Sequence, residues 1–341
     1  MWLGEPENDR ALFLLDDLDG IRDLELREAA IPCEAKNVLF TTRNPVFHGT
    51  NARSRHPVRI AAMPLDDVIM LMEDVRDNER DDFDQDADLH RRDTLLSIAG
   101  AVHGHPLAAA NAIRYIIHIL SLADEKSAGR DFVTMFESPD FIARRHFLDF
   151  KHDASSILEN FLVSKNRLPD PKGLSWTLMK FLSVLETEEE TVDYRDFFFT
   201  KTFELDPKDY PDHALLAASK HEILQLLSEI QSVSFGERLD TSRPFQFHPL
   251  WLECTRHAMH SAGRVQVISQ ILKICTQVVT EAAPEDQVAA QKTFQEKFSP
   301  HVRHCLKICK SFKIELEDLK LPLHSLVIVK SEEVLEDPRL D

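Results

Sequence analysis

The spacing of apolar residues changes once along this chain, near Met63, and that change limits the folds open to it. Before it, apolar residues come in short unbroken runs. The first is residues 11–15 of "ALFLLDDLDG"; "NVLFTT" at 37–42 and "VRIAA" at 58–62 follow. Runs of that length, bounded by charge, read as buried strands of a parallel sheet. With a helix expected over 21–30, the segment has βαβ organisation. Three strands and one helix cannot cover both faces of such a sheet, so 1–62 reads as part of a domain.

After Met63 the period is helical. "LDDVIMLMEDV", "DTLLSIAGAV" and "PLAAANAIRYIIHILSLA" come first, the last with Pro106 in a first turn, where proline is tolerated. "DFVTMF", "SPDFIARRHFLDF", "ASSILENFLV", "SWTLMKFLSVL" and "TVDYRDFFF" follow, then one long helix in "PDHALLAASKHEILQLLSEIQ". Two extended pieces, "SVSF" and "FQFH", flank the turn "GERLDTSRP" and lead into a helix in "PLWLECTRHAMH". Helix, short hairpin, helix is the sequence pattern of a winged helix. Three further helices and a polar end are expected from Gly263 onward.

Charge and cysteine usage narrow the setting. Lys and Arg number 40 against 58 Asp and Glu, a net charge of −18, which opposes nonspecific binding to nucleic acid or anionic membranes. Five scattered cysteines suit a reducing compartment rather than a disulfide scaffold. The start "MWLGEPENDR" has no basic and apolar leader, and Arg114 interrupts the best apolar run. A cytoplasmic protein without nucleic-acid or membrane partners is the expectation.

Several segments resemble known motifs, in order. "ALFLLDDLDG" resembles a Walker B strand, and "NVLFTTR" the sensor strand after it. "GHPLAAANAIRYI" resembles the GLPL motif, and "FQFHPLWLECTRHA" the histidine segment of a regulatory winged helix. Together, over about residues 1–310, these are similar to the NB-ARC family of STAND nucleotide switches, in the fungal branch carrying tetratricopeptide repeats. "FSPHVRHCLK" resembles the linker before those repeats.

The resemblance implies a fold, a ligand and roles. The fold is mostly α with a partial α/β nucleotide-binding sheet, followed by a helical and a winged-helix domain. Its divisions are 1–62, the second half of the nucleotide domain; 63–125, the GLPL-type helical domain; 126–262, containing the winged helix; and 263–341, a helical linker and tail. The ligands implied are ADP or ATP with Mg²⁺. Asp16 would hold Mg²⁺ through water, and Asp17 would polarise the attacking water, though fungal relatives often carry Asn there. Arg43 would sense the γ-phosphate, Pro106 would pack on adenine, and His248 would contact the β-phosphate of ADP. The chemistry suits each: carboxylates for a hard cation, guanidinium and histidine donors for phosphate.

A phosphate-cradling GxxxxGK(S/T) loop should precede the Walker B strand. Only ten residues stand before Ala11, and the sequence contains no Gly-Lys pair. That loop supplies most phosphate contacts. The expectation is therefore weak nucleotide binding, no useful hydrolysis by this chain alone, and an N-terminally truncated form of a longer switch. The alternative is a non-catalytic helical interaction protein that binds protein partners or full-length relatives.

Two metal-like patterns carry less. Asp82, Asp84, Asp86 and Asp93 fall at calcium-loop positions, but Ala87 stands where a left-handed turn needs glycine. "HVRHCLKIC" sets His301 and Cys305 on one helix face, without the second ligand pair a structural zinc needs. A solvated loop and a packing face are the readings. "HGH" at 103–105 is read as a loop feature. "PLWLECTRHAMH" offers DNA only Arg256 as a fixed cation, so its helix reads as an internal regulatory element.

Overall fold

The computed structural model describes residues 12–15, 37–41, 63–79, 87–138, 141–151, 156–186, 197–198, 208, 210–233, 235–237, 245–283 and 286–335. Among these the protein is mostly helical. Strand β1 (Leu12–Leu15) pairs in parallel with β2 (Asn37–Phe40), Leu12 opposite Asn37 and Leu15 opposite Phe40. The expected 58–62 strand and 21–30 helix lie outside the described residues.

Helix α1 (Leu65–Glu79) buries Val68, Ile69, Met72 and Val75, one stripe at helical spacing. Asp66 and Asp67 in its first turn and Arg76 in its last suit the helix dipole. Beyond α2 (Arg92–Ala101), α1 packs on α3 (Pro106–His118). Ala108, Ala109 and Ala112 are fully buried in α3, and side chains that small let the backbones approach closely. Arg114 closes the pair by donating to Glu79 at 2.7 Å.

Helices α4 (Ala128–Glu137) and α5 (Phe141–Asp149) add rings to this core. Phe132 meets Phe147 edge-on at 5.1 Å, and Tyr115 meets Phe150 at 5.3 Å. Pairs of this geometry add about 0.5–1.5 kcal/mol beyond burial. The start of α4 is capped from a distance. The Asp88 carboxylate, 4% exposed, accepts from the N–H groups of Gly129 and Arg130, both at 3.0 Å. A Cβ on Gly129 would lie 2.6 Å from Thr94 Cγ2 and 2.9 Å from Asp88 Oδ1, so glycine is what lets the carboxylate in.

Helices α6 (Ile157–Lys165), α7 (Leu174–Leu182), α8 (His213–Leu216) and α9 (Lys220–Ser232) follow. The long helix expected over 211–231 is two. Ser219 forms a capping box with Glu222, accepting the Glu222 N–H while that carboxylate accepts the Ser219 N–H. A box satisfies the orphan N–H groups of a new helix, so the chain restarts there.

Of the two expected hairpin pieces, "FQFH" carries a strand and "SVSF" is displaced: among its described residues none is in a strand, and the Val233 and Phe235 N–H groups both turn back to the Ile230 carbonyl. The ladder is instead β3 (Gly236–Glu237) against β4 (Gln246–Phe247). A Cβ on Gly236 would sit 2.2 Å from a Phe245 ring carbon and 2.5 Å from the Gln246 carbonyl, so only glycine admits this close crossing.

Helices α10 (Pro249–Ala258), α11 (Ser261–Thr280), α12 (Gln287–Thr293), α13 (Ser299–Phe312) and α14 (Leu323–Leu335) complete the described chain. Four helices thus stand where three were expected after α10. Helix α11 starts before Gly263, so the boundary placed between 262 and 263 falls inside an element. It packs on α7 as well as on α13 and α14, and the buried residues from Val68 to Val329 form one core.

Replacing Asp88 with Ala removes the carboxylate oxygens that accept two backbone N–H groups and strands those donors. A loss of about 2 kcal/mol is expected in urea unfolding, with Gly129→Ala destabilising in the same direction.

Candidate functional site

Two of the residues singled out in the sequence, Pro106 and His248, stand at helix starts that the fold brings together. The first start follows a tight reversal after α2. Gly104 N–H donates to the Ala99 carbonyl at 2.8 Å and His103 N–H to the Gly100 carbonyl at 2.9 Å. This is a Schellman termination, and it places His103 at φ 54° and Gly104 at φ 65°. A histidine in the left-handed region is strained, and such strain concentrates at functional sites. The chain then enters α3 with His105 as cap and Pro106 at the first position, where its missing N–H costs nothing. His105 Nδ1 accepts the Ala108 N–H at 3.4 Å.

The second start repeats the device. His248 caps α10, Pro249 follows, and His248 Nδ1 accepts the Leu250 N–H at 3.3 Å. The hairpin holds it in place, since His248 N–H donates to the Phe235 carbonyl at 3.4 Å. Both starts therefore read His-Pro-Leu.

The histidine rings meet. His105 and His248 centroids are 5.1 Å apart and nearly perpendicular, with His103 at 6.4 Å from His248. Trp251 supports both, 5.3 Å from His105 and 6.4 Å from His248. Behind Trp251 lie Phe161 and Phe235, stacked on each other at 5.1 Å.

These surroundings hold the rings neutral. Burial first, then His105 and His103, push the His248 imidazole down to about 4, and burial lowers His105 as well. Each Nδ1 accepts a backbone N–H, so each proton sits on Nε2. A neutral ring in that tautomer is a donor at Nε2. Two helix N-termini aimed at one place add partial positive charge there. Neutral donors and dipoles together fit a phosphate or carboxylate ligand.

One turn along α10, Glu253 is buried with its charge kept. Burial alone would raise its carboxyl, but Arg256, the His257 ring and Arg144 overcome that and hold it far below the usual range. Arg256 Nη1 donates at 2.8 Å, His257 Nε2 lies at 2.9 Å, and Arg144 Nη1 at 3.5 Å. The one fixed cation of this helix is thus spent inside the protein.

Asp16, Asp17 and Arg43 lie outside the described residues. What is described is that the carboxyl ends of β1 and β2, Leu15 and Phe40, are register partners. Of the aspartates in the calcium-like pattern only Asp93 is described. Asp93 pairs with Arg91 at 2.7 Å on α2, while Asp82, Asp84 and Asp86 fall outside. In α13, His301 Nδ1 accepts the Glu186 N–H at 3.0 Å, whereas the Cys305 thiol approaches the Val184 carbonyl at 3.8 Å and is pushed up by burial. The two residues serve different backbone groups.

His105, expected as part of a loop feature, instead caps α3 and belongs to the site, as does Trp251, which no sequence motif singles out. The signal was present: "HPL" occurs twice, and a histidine before proline at a helix start caps that helix. Compared with known proteins, no family model matches the chain, and neither does a curated protein or a solved structure.

The neutral rings make stability pH-dependent. Unfolded, His248 takes up a proton near 6.5; folded, it resists until about 4. The unfolded state then binds more protons, so stability falls as pH drops through that window, by about 2 kcal/mol at pH 5 from this residue. Urea midpoints measured from pH 7 to pH 5 should show the loss, and His248→Asn, which keeps a capping side chain, should flatten it.

Proposed function

We propose that this chain carries the helical and histidine-bearing part of an ADP/ATP-dependent regulatory switch of the NB-ARC type. The observation that supports this most is the meeting of His248 with His105, the residue next to Pro106, at the starts of α10 and α3, their rings 5.1 Å apart. Family resemblance gives Pro106 and His248 to one nucleotide, and residues that share a ligand must be neighbours.

The donors fit such a ligand. Neutral Nε2–H groups and two helix N-termini suit phosphate oxygens, while Pro106 offers a rigid apolar face for a base. A ligand bridging the α3 and α10 starts would favour the arrangement in which they touch, and its loss would favour their separation. In this reading Asp16 holds Mg²⁺, Asp17 orients water and Arg43 senses the γ-phosphate. The sequence has no GxxxxGK(S/T) loop, so the reading assigns these residues weak ADP binding rather than turnover. The setting proposed is cytoplasmic signalling of the innate-immunity kind.

A second reading, a non-catalytic helical interaction protein, is favoured by α14, where Leu323 and Val327 are 78% and 62% exposed one turn apart.

Titration with a fluorescent ADP analogue separates the two. The switch reading expects weak saturable binding that His248→Ala lowers by about tenfold or more, the scale of one charge-assisted hydrogen bond. Binding indifferent to His248 contradicts its role. A folded chain with no binding at millimolar nucleotide favours the interaction reading.

A further inference from the structure

Beside the histidine pair, and touching its surroundings through Gly100, His103, Pro249 and Leu250, lies a cavity of about 250 Å³. Its walls include His103, Phe136, Arg144, Leu250, Glu253 and Arg256, from the α2–α3 turn, α4, α5 and α10. Neither Pro106, His105 nor His248 lines it.

The charges at this cavity do not balance. Two guanidiniums face one carboxylate. Glu253 is already saturated, accepting from Arg256 and His257 and lying against Arg144. The guanidiniums are not. Arg144 uses Nη1 toward Glu253 and Nη2 toward Ser311 Oγ at 3.4 Å; Arg256 uses Nη1 toward Glu253. The Nε–H groups of both are buried and meet no acceptor among the described residues. Buried donors left unmade cost about 1–3 kcal/mol each. Those Nε–H groups lie out of reach of the cavity; what lines it is two guanidiniums against one carboxylate, a surplus of positive charge that suits an oxyanion, whose oxygens match the guanidinium fork. A share of about 30 Å³ per water puts room for roughly eight waters in this volume, ample for one tetrahedral anion.

The geometry points to a phosphate-class anion site at Arg144 and Arg256, separate from the nucleotide contacts at His248. An anion there ties α5 to α10 and to the strained His103 turn. Its occupancy therefore holds the α3 and α10 starts in register, a second input to the same closed arrangement. The site is independent of the nucleotide reading, because its residues and its probe are different.

Thermal unfolding of the full chain in inorganic phosphate, against chloride at equal ionic strength, tests it. Wild type should gain about 2 °C or more at 20 mM phosphate. Arg144→Gln, which leaves Glu253 its Arg256 and His257 partners, should lose the gain. Ala101→Phe, which fills the cavity without changing charge, should lose it too. No gain in wild type, or an equal gain in both variants, overturns the proposal. Should neither variant fold, isothermal titration of wild type decides: one phosphate per chain is expected, and heat no greater than with chloride overturns it. ADP binding that fails while phosphate binding persists removes the nucleotide reading and leaves this site standing.

Discussion

The contact between the His105 and His248 rings is the constraint from which the arrangement around the site follows. Each ring does two jobs. Its Nδ1 closes a helix N-terminus, and its face packs on the other ring and on Trp251. Both jobs require a neutral imidazole, and burial supplies that condition. Removing the contact would leave each capping ring without its partner. The left-handed His103 turn and the Gly236 crossing are local devices that aim the two starts.

Two kinds of polar burial sit side by side here, and they are settled differently. The histidines meet desolvation by shedding charge. Glu253 meets it by keeping charge and recruiting three partners from α5 and α10. The second solution is strong only while every partner stays, since a buried carboxylate losing one of them costs several kcal/mol. It makes the α5–α10 joint stiff, and it leaves two arginines with more donors than one carboxylate can use. The joint and the rings thus lie side by side, one held by charge and the other by its absence.

Much of this was legible in the sequence. The apolar period placed α1 to α7 and α10; in α1 the buried Val68, Ile69, Met72 and Val75 form the stripe that the spacing predicts. Pro106 was assigned to a first turn from its position alone and stands there. Other features were hidden for stated reasons. The break at Ser219 was masked by continuous apolar spacing, although the capping pattern Ser219 to Glu222 was in view. Asp88 reads as one acid among many until the fold sets it beneath Gly129. That the helix holding Glu253 and Arg256 is internal reads from the sequence, but its pairing with Arg144 from a distant helix does not. His105 reads as part of a loop in "HGH", and only the fold shows its Nδ1 closing the start of α3.

A double-mutant cycle on His105 and His248 tests the central claim most directly. Unfolding free energies at pH 7 would be measured for wild type, His105→Ala, His248→Ala and the double variant. Rings in contact, each tuning the other's burial, predict a coupling of about 1 kcal/mol. Additivity to within about 0.3 kcal/mol would mean that the two helix starts do not depend on each other, and the account of a shared site would fail.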